Sequence, residues 1–362
     1  MSDGAGRSEG DAGVKFLYAL LVMVPVALIL EFSGIGGHTA VFLAAAAAMI
    51  PLAAVLGQAT EAVAVYTGPK IGALLNATLG NAAELIITIV ALREGLVEVV
   101  KASIAGSIVG NILVVLGLSV LVGGLKNGTQ RFDARTAGAN ATTMALAVVA
   151  LVVPAVFALG DEVMRPSAAD IELLSDGMAV VLIVIYVLYL VYTLRAPSEA
   201  PATGGDHAPG MKLPVAIGLL AAATVAIVVM SEVLVGAIEP TAAEWGLTEL
   251  FIGVMLVPLI GNIAEHLVAV QMAYANKMDL SLGIAVGSGL QIALFVTPVL
   301  VLAGLIMGTP MTLVFNSYEL VALVGATLIA VLISVDGESH WLEGAELIAL
   351  YAILGLAFFF VP

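Results

Sequence analysis

Gly80-Asn81-Ala82-Ala83-Glu84-Leu85 recurs in the second half of the chain as Gly261-Asn262-Ile263-Ala264-Glu265-His266, and both copies lie inside long apolar segments. A carboxylate near the middle of a bilayer costs roughly 3 kcal/mol on insertion scales, so two in equivalent places indicate a functional role. The offset that carries Glu84 onto Glu265 also carries Gly106-Ser107 onto Gly287-Ser288 without a gap. The repeat therefore spans a pair of helices rather than one short motif.

The composition is that of an integral membrane protein. Of 362 residues, 61% are hydrophobic and 11% are charged, and the mean hydropathy is +1.14, far above that of a soluble domain of average composition. The apolar runs are long and continuous, whereas the strands of a membrane barrel are about ten residues long with strict alternation. We therefore predict an all-α membrane protein.

Charge and cysteine content exclude several classes of function. The chain has no cysteine, which excludes disulfides and thiolate chemistry. Its formal net charge of −15 argues against nucleic-acid binding and would attract cations. The expected partners are a lipid bilayer and small cations.

Allowing about 20 residues per crossing, we predict eleven transmembrane helices. Residues 1–14 are small and polar and predict a disordered N-terminal tail. The first helix, 15–31, is an extra one, and the other ten divide into repeat 1 (39–195, helices 2–6) and repeat 2 (214–361, helices 7–11) about a flexible linker at 196–213. The predicted helices cover approximately 15–31, 39–61, 70–92, 97–123, 136–159, 176–195, 214–236, 247–275, 280–305, 317–335 and 341–361.

Basic residues in the connections predict the orientation. The side of the amino terminus holds nine of the 12 Lys and Arg residues, which places that terminus in the cytoplasm and the carboxyl terminus outside a membrane that we expect to be a prokaryotic cell membrane. Repeat 1 then begins outside and repeat 2 inside. Such inverted repeats are typical of secondary transporters, whose sites lie near the midplane at the repeat interface. The nine are Arg7, Lys15, Lys70, Lys126, Arg131, Arg135, Arg195, Lys212 and Lys277, and the other three are Arg93, Lys101 and Arg165.

Oxygen-bearing side chains share one face of the third predicted helix. Asn81, Glu84 and Thr88 stand at i, i+3 and i+7, and Gly80 permits a local kink that frees backbone carbonyls. The eighth predicted helix repeats the pattern with Asn262 and Glu265. Two facing carboxylates with amide and carbonyl oxygens would suit a hard cation such as Ca²⁺, which takes six to eight oxygen ligands.

The fourth and ninth predicted helices supply further oxygens. Ser103, Ser107 and Asn111 share one face of the fourth helix. In the ninth helix Ser288 and Gln291 share a face, and Ser281 lies nearer the start of that helix. These groups are candidates to complete the shell around a cation. The alternative is that they only form hydrogen bonds between helices, as small polar residues in membranes commonly do.

Other titratable residues flank the central pair. His266 follows Glu265 directly, so on a helix it points about 100° away and fits packing better than proton handling. The remaining acidic candidates lie near the predicted membrane faces, where they are either plain solvated charge or vestibules that concentrate cations. These vestibule candidates are Glu61, Glu232, Glu98 and Asp279.

The two motifs together resemble the alpha-repeat signatures of the Ca²⁺/H⁺ exchanger (CAX) family, within the Ca²⁺/cation antiporter superfamily. The resemblance covers roughly residues 15–361 and includes Gly287-Ser288-Gly289-Leu290-Gln291 after the second Gly-Asn-x-x-Glu. It implies that Glu84 and Glu265 are the central cation and proton residues, which also makes them the metal ligands. Some members carry an acidic helix between the repeats, whereas this linker has only Glu199 and Asp206. The residues that the resemblance places around the site are Asn81, Asn262, Ser107, Ser288 and Gln291.

The sequence predicts a secondary antiporter in which Ca²⁺ and protons compete for the glutamate pair. It predicts neither enzymatic activity nor a cofactor, because Ca²⁺ is the transported substrate. One alternative is a Na⁺-coupled or other divalent-cation exchanger of the same superfamily. A more remote one is an intramembrane carboxylate enzyme, but the nearest match to a Gly-x-Gly-Asp-type motif, Gly204-Gly205-Asp206, lies in the linker.

Overall fold

The computed structural model describes residues 18–160, 166–195 and 211–361. The predicted tail, the first residues of the first predicted helix and most of the linker lie outside these described residues. The helices are α1 (Met23–Ser33), α2 (Gly37–Thr67), α3 (Pro69–Leu79), α4 (Ala82–Arg93), α5 (Val97–Gly110), α6 (Gly117–Asn127), α7 (Ala134–Ala158), α8 (Ala168–Arg195), α9 (Leu213–Gly236), α10 (Ile238–Trp245), α11 (Glu249–Phe251), α12 (Val257–Tyr274), α13 (Met278–Gln291), α14 (Thr297–Met307), α15 (Ser317–Ile333) and α16 (Trp341–Phe360).

The predicted all-α membrane class is confirmed. Within the described ranges, nine helices are long and apolar enough to cross a membrane. Two shorter apolar helices, Leu20–Ser33 and Ser317–Ile333, occupy the positions of the first and tenth predicted crossings. The first of these begins with a 3₁₀ turn at Leu20–Val22.

The chain forms two compact units, and the first contains the described residues 18–90 and 211–246. Helix α2 is its centre, with α1, α3 and α9 packed against it. The buried face of α2 includes the small residues Ala44, Ala45 and Ala48, which let neighbouring backbones approach closely. Two hydrogen bonds tie its ends, from Thr39 to Glu244 at 2.6 Å and from Tyr66 to the Met211 carbonyl at 2.9 Å.

The second unit contains the described residues from 91 to 195 and from 247 to 361. Here α12 packs against α5, α6 and α13. Gly106 of α5 allows a close crossing, because a Cβ at that position would collide with the Val254 carbonyl oxygen. Val254 belongs to a π-helical segment, Ile252–Leu256, and such segments are frequent at functional sites.

The internal repeat is visible in the secondary structure of the second unit. Helices α5 and α13 each have 14 residues, and their first residues are separated by the same offset as Glu84 and Glu265. Each helix runs directly into a π-helical segment, Asn111–Leu116 and Ile292–Val296, and these segments also begin at that offset. The 11-residue helices α6 and α14 follow. The offset found in the sequence motifs therefore also holds for backbone irregularities.

Polar contacts join three connections at one end of the second unit. Strand β1 (Gln130–Arg131) pairs antiparallel with β2 (Glu338–Ser339). The Gln130 amide donates to the Ala273 carbonyl at 2.8 Å and to Asn276 Oδ1 at 3.0 Å. The turn that leads from α12 into α13 is thereby fixed to the strand that follows α6.

The third predicted crossing, 70–92, is interrupted at the position where Gly80 is expected to permit a kink. A turn at Gly80 and Asn81 separates α3 from α4, since glycine weakens helices through its backbone freedom. The Leu85 backbone N–H donates to the Asn81 carbonyl at 2.9 Å, so Asn81 lies directly at the start of α4. The second copy differs, because α12 passes through Gly261 without interruption and the irregular backbone lies upstream in the π-helical segment.

Candidate cation-binding site

Glu265 lies midway along α12 and is half-buried. Its carboxylate is hydrogen-bonded to the side chain of Ser288 on α13. Its Oε2 atom is buried and has no hydrogen-bond partner among the described residues. A buried carboxylate oxygen that accepts no hydrogen bond is energetically unfavourable unless a positive charge lies beside it. A proton or a metal ion would supply that charge.

Ser288 connects Glu265 to Asn111, at the start of the first π-helical segment. Asn111 Nδ2 donates to Ser288 Oγ at 3.1 Å, and both side chains are buried. The serine oxygen accepts this bond, which leaves its hydroxyl hydrogen for the Glu265 carboxylate. Amide, hydroxyl and carboxylate therefore form one chain across three helical segments.

The other predicted residues of the second unit lie on the same helices. Asn262, one turn before Glu265 on α12, is buried and donates from Nδ2 to the Pro258 carbonyl at 3.2 Å. Ser107 on α5 is also buried, and Gln291 at the end of α13 is half-buried. All of these are neutral oxygen-bearing groups of the kind that hard cations accept as ligands.

Asn81 and Glu84 belong to the first unit, and both are buried with 2% of their surface exposed. Asn81 lies in the turn between α3 and α4, and Glu84 lies in the first turn of α4. The Thr88 hydroxyl donates to the Glu84 backbone carbonyl at 2.8 Å. The pairing of Glu84 with Glu265 stays a prediction.

The four vestibule candidates are all exposed. Glu98 forms a 2.6 Å ion pair with Lys101, and Asp279 accepts a 2.7 Å hydrogen bond from the Asp133 backbone. His266 is half-buried beside Glu265. Their part in ion entry stays a prediction.

Two features of the second unit do not follow from the sequence. Ser103 Oγ and Ser281 Oγ are buried and lack a partner within the part of the chain that the structure describes. Lys101 and Glu319 are buried charged residues on separate helices. The pattern Asn316-Ser317-Tyr318-Glu319 is a capping-box signature that could have located the start of α15, but not its relation to Lys101.

Comparison with known proteins places these residues in a family. The family model described as "Sodium/calcium exchanger protein" matches residues 37–195 and 215–360. The chain is 45% identical to a "Ca(2+)/H(+) antiporter" of Aphanothece halophytica, over 95% of this chain and 96% of the relative. It is also 45% identical to the "Ca(2+)/H(+) antiporter ChaA" of Bacillus subtilis, over 86% and 89% respectively.

Solved structures agree with the sequence relatives. The structure of native YfkE superimposes with a TM-score of 0.83 at 41% identity, covering 95% of this chain and all of that one. A structure described as "H+/Ca2+ Exchanger CAX" gives a TM-score of 0.76 at 17% identity, covering 96% and 92%. At that identity the second match supports the fold alone.

Proposed function

The chain belongs to the sodium/calcium exchanger protein family, and from this premise we propose that it is a Ca²⁺/H⁺ antiporter that moves cytoplasmic Ca²⁺ out in exchange for protons. It is a transporter rather than an enzyme, as are the antiporters to which it is 45% identical. The observation that carries the proposal is Glu265, whose one oxygen is hydrogen-bonded to Ser288 and whose other oxygen is buried without a donor among the described residues.

Competition at the glutamates couples the two ions. When Glu84 and Glu265 are ionised, two negative charges balance one divalent cation. When both glutamates are protonated, the site is neutral without metal. Because either state removes the cost of uncompensated charge within the membrane, the protein changes its access only when the pair is neutralised. The neutral oxygens that complete the shell of the cation belong to Asn81, Asn262, Ser107, Ser288 and Gln291.

The internal repeat supports an inverted arrangement of ten helices. Equivalent helices and π-helical segments recur at one constant offset along the chain. In an eleven-helix order this offset corresponds to five crossings, and an odd number of crossings reverses the direction of the second copy. Inverted repeats of this kind place the transported ion near the midplane.

Contacts within each unit support the order of eleven crossings. In the second unit, Gln130, after the fourth predicted helix, contacts Asn276 after the eighth, and strand β1 pairs with β2 after the tenth. The connection after the ninth contacts the starts of the fourth and sixth. In the first unit, Thr39 contacts Glu244 and Tyr66 contacts Met211. In each of these contacts, the two connections are separated by an even number of membrane crossings. Connections on the same side of a membrane are always separated by an even number, so these contacts agree with the order.

The basic residues support a cytoplasmic amino terminus and an external carboxyl terminus. With this orientation, Asp279 lies on the cytoplasmic side and Glu98 on the outer side. Exposed carboxylates at both mouths raise the local concentration of cations. By their place in this order, Asp279 and Glu61 belong to the cytoplasmic end of the ion path and Glu98 and Glu232 to its outer end. The bacterial relative is in keeping with a prokaryotic cell membrane.

Flux in reconstituted vesicles tests the function. We expect an imposed pH gradient to drive Ca²⁺ uptake that a protonophore abolishes, and a Na⁺ gradient to drive none. Vesicles that contain the Glu265→Gln variant control for leak. Uptake driven by Na⁺ but not by protons would overturn the proposal in favour of a Na⁺-coupled exchanger.

A further inference from the structure

A lysine is buried near the start of α5, the helix that carries Ser107. Lys101 has 7% of its surface exposed. Its ammonium group donates to the Val314 carbonyl at 3.0 Å and forms a 2.6 Å ion pair with Glu98 of the same helix. An ammonium group is buried only where partners offset its lost hydration. Lys101 is thus fixed at both of these contacts.

The segment that Lys101 contacts is itself firmly held. Residues 309–316 connect α14 to α15 without helical structure, and Met311, Leu313 and Phe315 are buried. The Leu313 backbone donates to Ser175 Oγ on α8 at 3.0 Å. The Val314 carbonyl, at a half-buried position in this stretch, accepts the hydrogen bond from Lys101. Lys101 therefore joins α5 to a fixed part of the second unit.

A buried carboxylate provides the second charge. Glu319, at the start of α15, has no exposed surface. Its Oε2 accepts from the Asn316 backbone at 2.8 Å, and its Oε1 is buried without a hydrogen-bond partner among the described residues. Lys101 attracts its charge and Glu98 repels it. The lysine is a nearby cation on the adjacent helix α5, which packs against α15, although burial remains the larger effect on this carboxylate.

Lys101 lies on the same continuous helix as two of the candidate cation ligands. Ser107 and Asn111 follow Lys101 by six and ten residues on α5 and its π-helical extension, which is about 9 and 15 Å along a helix axis at 1.5 Å per residue. A helix transmits a fixed position along its axis, so the Lys101 contacts also set where Ser107 and Asn111 lie.

We propose that Lys101 is a positioning residue for cation transport, with Glu319 as its buried counter-charge. The hydrogen bond from Lys101 to the Val314 carbonyl holds α5 against the 309–316 segment and so keeps Ser107 and Asn111 at the level of Glu265 and Ser288. This inference rests on the proposed function, because it assigns a consequence for Ca²⁺ affinity. Neither residue touches the cation in this scheme.

Transport kinetics test the consequence. Lys101→Met removes the charge at similar length, Lys101→Arg keeps it, and Lys212→Met removes an exposed lysine as a matched control. We expect Lys101→Met to raise the KM for Ca²⁺ by roughly threefold to thirtyfold, the range for changes that act through packing, with a smaller change in maximal rate. Lys101→Arg should recover at least half of the loss, and Lys212→Met should match the parent protein.

Thiol labelling tests the position of α5 independently of transport. The chain has no cysteine, so Ser103→Cys introduces a single thiol one turn from Ser107. We expect a maleimide to label it about tenfold faster in the Lys101→Met background, a change that corresponds to about 1.4 kcal/mol. Glu319→Gln should also increase the labelling rate, and it replaces Lys101→Met in this test if Lys101→Met does not fold.

The two measurements separate the possible failures. If the parent protein does not exchange Ca²⁺ for protons, the proposed function fails while labelling still reports on α5. If it does exchange them, an unchanged KM in both Lys101→Met and Glu319→Gln overturns the positioning role. A raised KM without faster labelling also overturns it, because the effect would then be one of charge alone.

Discussion

The side-chain amide of Asn111 donates a 3.1 Å hydrogen bond to the hydroxyl of Ser288, and the bond links the two halves of the internal repeat without being symmetric. At the offset of the repeat, Ser288 corresponds to Ser107, whereas Asn111 corresponds to Ile292. The second half therefore cannot return the same bond. Asn111 orients Ser288, and Ser288 in turn contacts Glu265.

Ser288→Ala should weaken Ca²⁺ binding without abolishing exchange. The change removes a donor to Glu265 and the acceptor for Asn111, but it leaves the carboxylates, which dominate binding of a hard divalent ion. We expect the KM for Ca²⁺ to rise by about tenfold, or about 1.4 kcal/mol, measured by flux in vesicles. Ser107→Ala should have a similar effect, as a second neutral oxygen.

Ser334→Ala is the matched control, since Ser334 is a buried serine whose hydroxyl donates to the Ala330 carbonyl at the end of α15. It should leave the KM unchanged. Complete loss of flux in a folded Ser288→Ala or Ser107→Ala protein would contradict the ranking of carboxylates above neutral ligands.

Gly106→Ala and Gly287→Ala should differ in stability, although the two glycines are equivalent in the repeat. A Cβ at Gly106 would collide with the Val254 carbonyl oxygen, whereas a Cβ at Gly287 would meet no atom within 4 Å among the described residues outside its own stretch of helix. Overpacking of this kind costs about 1 to 3 kcal/mol, and alanine in an open helix position is favourable. Thermal unfolding in detergent should show a lower Tm for Gly106→Ala alone. Equal effects of the two substitutions would refute this asymmetry.

This pair of glycines shows what the sequence could and could not predict. Membrane class, helix positions and the repeat follow from apolar run lengths and from motif spacing, which are local properties of the chain. The clash at Gly106 depends on how α5 crosses the π-helical segment before α12. Such a crossing is a tertiary property, and the identical Gly-Ser motifs give no sign of it.

The candidate site could also be predicted only in part, namely where its residues follow a local sequence pattern. Glu265 and Ser288 are predictable because oxygen-bearing residues recur at helical spacing, and the structure brings these two together. The turn at Gly80 is predictable only as a permitted kink, since glycine allows a break without requiring one. Lys101 and Glu319 lie in opposite halves of the chain, so no local pattern connects them.

Asp133 should make the stability of the protein depend on acid pH. Backbone N–H groups of Arg135 and Thr136 donate to its carboxylate at the start of α7 and lower its pKa from the ordinary 3.8. A lowered folded-state pKa means that this stabilisation is present above the unfolded value and is lost as the pH falls through the folded value. The difference in Tm between the parent protein and Asp133→Ala should therefore shrink as the solution is acidified below 3.8.

A Tm difference for Asp133→Ala that stays constant through the acid range would show that the capping bonds do not depend on ionisation.

Single cysteines should distinguish the two sides of the membrane. Cysteine at Asp279 should be labelled by an impermeant reagent from the cytoplasmic side, and cysteine at Glu98 from outside, since both positions are exposed and the chain has no other thiol. Right-side-out and inverted vesicles provide the two accesses. Labelling of both from the same side would contradict the eleven-helix order.

The central prediction is that Glu84 and Glu265 titrate and bind as one unit. Glu84→Gln and Glu265→Gln keep shape and hydrogen-bonding capacity but fix one site neutral. One remaining negative charge cannot balance a divalent ion. Removing one partner of a buried pair of opposite charges, here a carboxylate from its Ca²⁺, costs about 3 to 5 kcal/mol. Each variant should therefore lose Ca²⁺/H⁺ exchange by about 100-fold or more, on the order that this energy implies. Glu239→Gln, at an exposed position on α10, should retain it.

The same coupling predicts how Ca²⁺ binding varies with pH in the intact protein. Ca²⁺ requires the ionised carboxylates, so protons compete with it and its apparent affinity should fall as the pH drops. Two acids close together in a medium of low dielectric constant do not ionise independently, so the titration should report a pair rather than one residue. Equilibrium binding of radioactive Ca²⁺ across pH measures this directly. Binding that does not vary with pH, or near-normal exchange in Glu84→Gln, would be incompatible with competition at a glutamate pair.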